Sequence, residues 1–336
     1  MERHRLGRDG PTVSALGLGC MGMSDLYGPA DRGESIATIH AALDAGITLI
    51  DTGDFYGSGH NEMLIAEALA SRRRDDVAIS VKFGAMRDPA RGWIGVDARP
   101  AAVRNFLAYT LQRLRVDHVD IYRPARLDPA VPVEDTIGAI ADMVKAGHVR
   151  HIGLSEVGAD TLRRACAVHP IADVQIEYSL VSRGIEDTVL PVARELGVGV
   201  TAYGVLSRGL ISGHWSAARA GERDFRGALP RFQGENLARN LALVESLRAV
   251  AERLEASVAQ VAIAWVASRG PDIVPLIGAR RRERLAEALG ALDLKLSEAD
   301  LAALEDAVPK GAAAGERYPV AQIAILDSER GSHRAH

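Results

Sequence analysis

The feature that most limits what this chain can become is an alternation that runs its whole length. Short β-branched runs alternate with stretches of helical period. Segments 15–18, 47–50, 77–81, 119–122, 151–154, 174–178, 199–202 and 273–277 read as strands. Between them lie helical stripes, such as Ile36, Ile39 and Leu43, then Val103, Leu107, Leu111 and Leu114. Ile137, Ile140, Ala141 and Val144 make another, and helices are expected over 160–168, 185–196, 237–254, 257–269 and 283–289. A last one spans 298–307 behind Ser297, a residue suited to cap it. Strands separated by helices belong to a parallel sheet, since a chain must cross back before it can run parallel to itself. Eight such units in 336 residues predict an α/β fold, a single closed (β/α)8 barrel rather than an open doubly wound sheet.

No break in composition divides the chain, so residues 1–336 are expected to form one domain. Residues 1–14, with Gly10-Pro11-Thr12-Val13, are expected to add a small hairpin under the barrel, and 328–336 a flexible polar tail. Two stretches, 87–99 and 204–235, look irregular. Both follow strands at the C-terminal face, where barrels build their sites. Net charge is −4, and the basic runs Arg72-Arg73-Arg74 and Arg280-Arg281-Arg282 are too short for a nucleic-acid face. No stretch approaches the ~20 apolar residues of a membrane span. The N-terminus has no apolar signal core, and the two cysteines have no motif spacing, so a cytoplasmic location is expected.

Gly17-Leu18-Gly19-Cys20-Met21-Gly22 matches the dinucleotide fingerprint G-x-G-x-x-G. That motif must open a helix, whereas Ser24-Asp25-Leu26-Tyr27-Gly28-Pro29 is loop chemistry and the helix starts only near Gly33. The glycines are better read as a strand end that allows close packing. His148 and His151 form H-x-x-H but straddle a helix exit and a strand start, so no metal is expected.

Asp51 ends one expected strand, Tyr56 follows in its loop, and Lys82 ends the next strand. A barrel brings adjacent strand ends to one mouth. A phenol with an ammonium nearby, itself oriented by a carboxylate, is a general acid suited to protonating a carbonyl during hydride transfer. Taken singly, the same residues read as a packed turn tyrosine, a solvated lysine and a loop-capping aspartate.

The surroundings of the trio carry more. Asp51-Thr52-Gly53-Asp54-Phe55-Tyr56-Gly57, with Asn61-Glu62 after it, resembles the signature of the aldo-keto reductases. Ser80-Val81-Lys82-Phe83-Gly84, Val116 to Tyr122, Val131 to Thr136, Lys145 to Glu156, Gln175 to Ser179 and Val274 to Arg280 continue that resemblance in order. It implies NADPH-dependent reduction of a small-molecule aldehyde or ketone, with Asp51, Tyr56 and Lys82 at catalytic positions and Tyr56 as proton donor. One position departs. In Tyr122-Arg123-Pro124-Ala125-Arg126-Leu127-Asp128-Pro129, Ala125 stands where the family has a histidine that orients and polarises the substrate carbonyl. Arg123 or Arg126 is a candidate for supplying charge instead, and a salt bridge at the loop base is the plainer reading of both. His118 precedes the strand and belongs at the far end of the barrel.

By the same resemblance, Ser155, Glu156 and Gln175 hold the nicotinamide carboxamide, with Glu156 where the family often has Asn. Tyr203 stacks on the nicotinamide ring. Leu206 and Arg208 belong to a pyrophosphate loop, 204–209, that lacks the usual Ser-Pro-Leu opening. Gly278, Arg280 and Arg284 lead into a helix, with Arg284 matching a 2′-phosphate contact and favouring NADP(H) over NAD(H). Glu287 matches an adenine contact, beside Ala288 where Asn is usual. Phe55, Trp93 and Trp215, with Arg123 and Ala125, are candidates for the substrate pocket, and Tyr318 for a residue closing the mouth. The missing histidine leaves room for other readings: enone reduction, a cofactor-dependent non-redox step on a natural product, or an NADP-binding regulatory subunit.

Overall fold

Parallel pairing follows from the helical crossovers, and the strands close on themselves. A computed structural model describes residues 1–24, 27–215 and 224–329. Strands β1 (Arg3–Arg5) and β2 (Thr12–Ser14) form an antiparallel hairpin at the N-terminus. Strands β3 (Gly17–Gly19), β4 (Leu49–Gly53) and β5 (Ala78–Phe83) follow. Next come β6 (Ala85–Arg87) and β7 (Trp93–Val96), paired as a second antiparallel hairpin. Then come β8 (Val119–Pro124), β9 (Val149–Ser155), β10 (Ile171–Glu177), β11 (Gly199–Tyr203) and β12 (Ile273–Gly278). The barrel order is β3-β4-β5-β8-β9-β10-β11-β12, closed by β12 against β3.

The eight barrel strands are the eight expected runs, and the first hairpin is where it was expected. The stretch 87–99 is not irregular throughout: β7 pairs back onto β6 above the mouth. The loop expected over 24–29 and the stretch 204–235 are described only in part, since 25–26 and 216–223 lie outside the described residues. The rest of 204–235 carries 3-10 turns at Ser207–Gly209, Phe225–Ala228 and Pro230–Phe232, and its last two residues already open a helix.

The helical shell follows the apolar stripes, with α1 (Arg32–Asp44), α2 (His60–Leu69), α3 (Pro100–Leu114), α4 (Val133–Lys145), α5 (Ala159–Val168) and α6 (Val189–Leu196). It continues through α7 (Gly234–Arg253), α8 (Val258–Ala267), α9 (Arg282–Leu289), α10 (Glu298–Ala307) and α11 (Val320–Ile323). Helix α1 starts beyond a 3-10 turn at Met21–Met23, so the glycines of β3 open no helix. Ser257 and Ser297 each close a capping box, on Gln260 and Asp300. No helix of the described residues is long and apolar enough to cross a membrane.

The barrel interior is polar toward its C-terminal end, which is costly unless every charge is met. Arg123 on β8 reaches Asp173 on β10 with bonds of 2.9 Å to both carboxylate oxygens. Thr201 on β11 donates to the same carboxylate at 2.5 Å. The pair passes over β9 at Gly153, where a Cβ would lie 2.5 Å from Asp173 and 2.8 Å from the Arg123 Nε. Only a glycine leaves room for this bridge.

Candidate active site

Register brings the trio together. On adjacent strands Asp51 lies beside Ser80, and Gly53 beside Lys82, which in turn lies beside Arg123. Lys82 Nζ donates to Asp51 Oδ1. Ser80 Oγ and Gln175 Nε2 donate to Asp51 Oδ2 at 2.8 and 2.7 Å, and Arg123 Nη1 lies 3.5 Å away. The Gln175 bond spans the barrel, from β10 to β4. Asp51 is therefore buried with all its partners, and it fixes the ammonium. Burial pulls the Lys82 pKa below its ordinary value, Asp51 pushes back, and Arg123 adds to the fall.

Tyr56 follows β4 in a tight turn and is buried, with Lys82 Nζ 5.2 Å from its ring centroid. Phe55 packs edge-on against it at 4.7 Å, and Trp93 of β7 packs on Phe55 at 5.5 Å. The Tyr56 hydroxyl makes no hydrogen bond to a described residue. Burial, then Asp51, raise the phenol well above its usual range, and the cation opposing them is Arg126.

Ala125 is buried, and its N–H donates to Phe83 O at 2.8 Å. Of the two nearby arginines, Arg123 takes the plainer of its two readings, the salt bridge rather than the pocket: it is fully buried and committed to Asp173 and Asp51. Arg126 is partly buried, and its Nη1 folds back to donate to Ala125 O at 2.6 Å.

At the far side of the mouth Ser155 lies beside Gln175, and Glu177 beside Tyr203. Glu156 has a positive φ of 54° and accepts from the Tyr203 hydroxyl at 2.8 Å and from Arg317 at 3.1 and 2.5 Å. Those bonds hold its carboxyl far below the usual carboxylate range, against the opposing effect of burial. Arg317 also reaches Glu177 and Glu329, and Ser328 donates to Glu156 at 2.8 Å. Ser328 and Glu329, expected to open a loose tail, are thus held in the site; 330–336 lie outside the described residues. Tyr318 meets the Tyr203 hydroxyl at 3.1 Å. Its ring carries the guanidinium of Arg208, which bonds Glu177 at 2.9 Å. Arg231 closes the set, 3.7 Å from Glu177 and bonded to Ser182.

The sequence reading missed Arg317, Glu177, Asp173 and Ser80. Arg317 follows a run of small residues without period, and its contact with Glu156 is 161 positions long in sequence. Ser80 and Asp173 alternate with apolar residues inside their strands, the one signal that could have singled them out. Trp215 packs in a satellite cluster with Leu210, Leu229 and Phe232, against which Tyr318 also packs.

Beyond β12, Arg284 Nη1 lies 3.0 Å from Glu287 and 2.6 Å from His214, whose ring is 2.9 Å from Glu287. Arg280 turns its Nη1 to the carbonyls of Tyr27, Gly28 and Pro29, tying down the loop after β3 rather than facing Arg284. A cavity of about 100 Å³ is lined by His214, Arg248, Ser257 and Glu287. Two observations fit a phosphate-bearing dinucleotide along this side. Ser207 Oγ is buried with no partner among the described residues, in the loop after β11 where residues 207–209 all have positive φ. A Cβ on Gly278 would meet no atom within 4 Å, so the loop after β12 is open to a ligand.

A closed parallel barrel whose ionisable groups gather at the C-terminal mouth defines a (β/α)8-barrel enzyme. A family model described as the Aldo/keto reductase family matches residues 15–309, and the chain belongs to that family. It is 41% identical over 317 residues to "Probable aldo-keto reductase 1" of Glycine max, covering 94% of this chain and 91% of that protein. Among solved structures it resembles the glycerol dehydrogenase AKR11B4 from Gluconobacter oxydans, with a TM-score of 0.82, 29% identity and coverage of 91% and 94%. It also resembles a thermostable aldo-keto reductase in complex with the inhibitor epalrestat, with a TM-score of 0.73, 28% identity and coverage of 91% and 100%. The protein is therefore an oxidoreductase of the kind that uses a nicotinamide cofactor. The described Arg317, Tyr318, Ser328 and Glu329 lie beyond the matched region, yet they complete the site.

Proposed function

We propose that the protein reduces an aldehyde or ketone to an alcohol with NADPH, and that Tyr56 gives the carbonyl oxygen its proton. The observation that carries this is the Tyr56 hydroxyl, which no described residue bonds, set beside the fixed Lys82–Asp51 pair. NADPH, when bound, supplies the hydride. Burial and Asp51 keep the phenol protonated across neutral pH, so the donor is loaded before substrate arrives. The ammonium of Lys82 offsets the negative charge left on Tyr56, and Asp51 stops it from swinging away. Phe55 and Trp93 give the apolar side of the substrate a wall.

For the cofactor, Ser155, Gln175 and Glu156 are proposed to hold the carboxamide and Tyr203 to carry the ring. Support comes from their neighbouring places at the ends of β9, β10 and β11. Leu206, Ser207 and Arg208 are proposed to line the pyrophosphate, Arg284 to meet the 2′-phosphate, and Glu287 the adenine. A cytoplasmic setting goes with this reading, supported by two unpaired cysteines.

The test is NADPH oxidation across a panel of aldehydes and ketones. Tyr56→Phe is expected to cut kcat by about 100-fold or more while leaving the NADPH Kd nearly unchanged. Equal turnover by the variant would end the proton-donor assignment.

A further inference from the structure

We propose that Arg126 takes the place left by the absent histidine, and that it selects carbonyl substrates carrying a carboxylate beside the carbonyl, the 2-oxo acids. The inference deepens the reading of Tyr56 given above and rests on it.

Position comes first. Arg126 follows Ala125 just past the end of β8, and the bond from its Nη1 to Ala125 O draws the guanidinium back over the residue that lacks a donor. Its Nε and Nη2 make no bond to a described residue. That edge is the fork which grips a carboxylate through parallel hydrogen bonds. Arg123, the other cation on this strand, has no such freedom, being locked between Asp173 and Asp51.

Charge comes second. Around the mouth, Lys82 faces Asp51, Arg123 faces Asp173, Arg208 and Arg231 face Glu177, and Arg317 faces Glu156, Glu177 and Glu329, all within 4 Å. Among these described groups Arg126 alone has no carboxylate at that distance. Glu156, the carboxylate that favours its charge from farther off, is already held by Arg317, so the open edge of Arg126 stays charged and ready for an anionic substrate, which a neutral carbonyl would not engage. Arg126 also acts electrostatically on Tyr56, Lys82, Glu156 and Tyr203, the groups that line the mouth, so its charge bears on the space before the Tyr56 hydroxyl.

The chemistry balances without a further reagent. The C=O π bond opens, the carbonyl carbon gains a C–H bond with hydride from the dihydropyridine, and the oxygen gains an O–H bond with the Tyr56 proton. The products are a 2-hydroxy acid and the oxidised cofactor, and Tyr56 recovers its proton from solvent. Arg126 donates hydrogen bonds throughout and loses no proton.

The test uses oxamate, an unreactive mimic of a 2-oxo acid, titrated into the full chain with NADPH bound and read by the fluorescence of the bound dinucleotide. The wild type is expected to bind oxamate, Arg126→Ala to bind it at least 20-fold more weakly, and Arg126→Lys to recover part of the loss. In turnover, Arg126→Ala is expected to raise KM for a 2-oxo acid far more than for a neutral aldehyde of similar size, and added guanidinium chloride is expected to restore rate. Equal oxamate binding by wild type and Arg126→Ala, or no oxamate binding by an NADPH-loaded wild type, would overturn the proposal while leaving Tyr56 untouched. Absence of NADPH binding, or full turnover in Tyr56→Phe, would instead remove the parent reading and this inference with it. Arg126→Gln, which is shorter but keeps a polar hydrogen-bonding end without charge, guards against a fold defect and is expected to behave like the alanine variant toward oxamate.

Discussion

Gly153 shows how much of this site depends on a residue with no side chain. Its missing Cβ is the passage for the Arg123–Asp173 pair, and Arg123 in turn borders Asp51. Gly153→Ala is expected to break the pair and destabilise the protein by about 3–5 kcal/mol, because a buried charge loses its partner. Urea unfolding would measure it, and a loss under ~1 kcal/mol would mean that the interior accommodates the methyl. None of this was legible at residue level from one sequence: Gly153 sits in an ordinary strand run, and its meaning depends on β8 and β10 passing on either side. Asp51, Tyr56 and Lys82 were legible because chain order alone puts neighbouring strand ends at one mouth. For Arg123 a salt bridge was the plainer reading, but its partners were not legible, since a strand residue points in or out according to a register that only the closed barrel fixes.

At the scale of elements, the helices begin where their caps say they should. Ser297 bonds Asp300 N and receives the Asp300 carboxylate on its own N–H, so α10 starts with its first donors satisfied. Ser297→Ala is expected to cost about 1 kcal/mol, seen as a lower urea midpoint with activity intact; no shift would mean that the cap is replaced by water. The barrel strands were readable because the positions that pack under the helices are apolar and largely β-branched, even where polar residues alternate with them. The β6–β7 hairpin was not. Trp93, Ile94 and Gly95 are exposed, and the strand gains its order from pairing with β6 and from the Trp93 ring resting on Phe55. The turns after β11 were equally opaque, because their apolar anchors Trp215, Leu229 and Phe232 follow no period.

For the molecule as a whole, stability is tied to pH by carboxyls placed where water does not reach. Asp54 is buried beside Glu62, and these two effects push its pKa up to about 8, with Oδ1 left without a partner among the described residues. The folded protein therefore keeps a proton that the unfolded chain releases near pH 4. This contribution is full below the unfolded value and is lost as pH rises toward 8, by at most about 1.4 kcal/mol per unit. Glu156 works the other way: its depressed pKa gives stability above the ordinary carboxylate range that fades as the solution is acidified. Asp54→Asn is expected to flatten the decline between pH 5 and 8 in thermal melts, and an unchanged slope would contradict the assignment. The last consequence concerns time. Arg317 and Glu329, which lock Glu156 in place, follow every strand in the chain, so during synthesis they leave the ribosome after the barrel's last staves. A nascent chain whose barrel closes first would still have an unfinished rim until the segment after α10 folds back onto it.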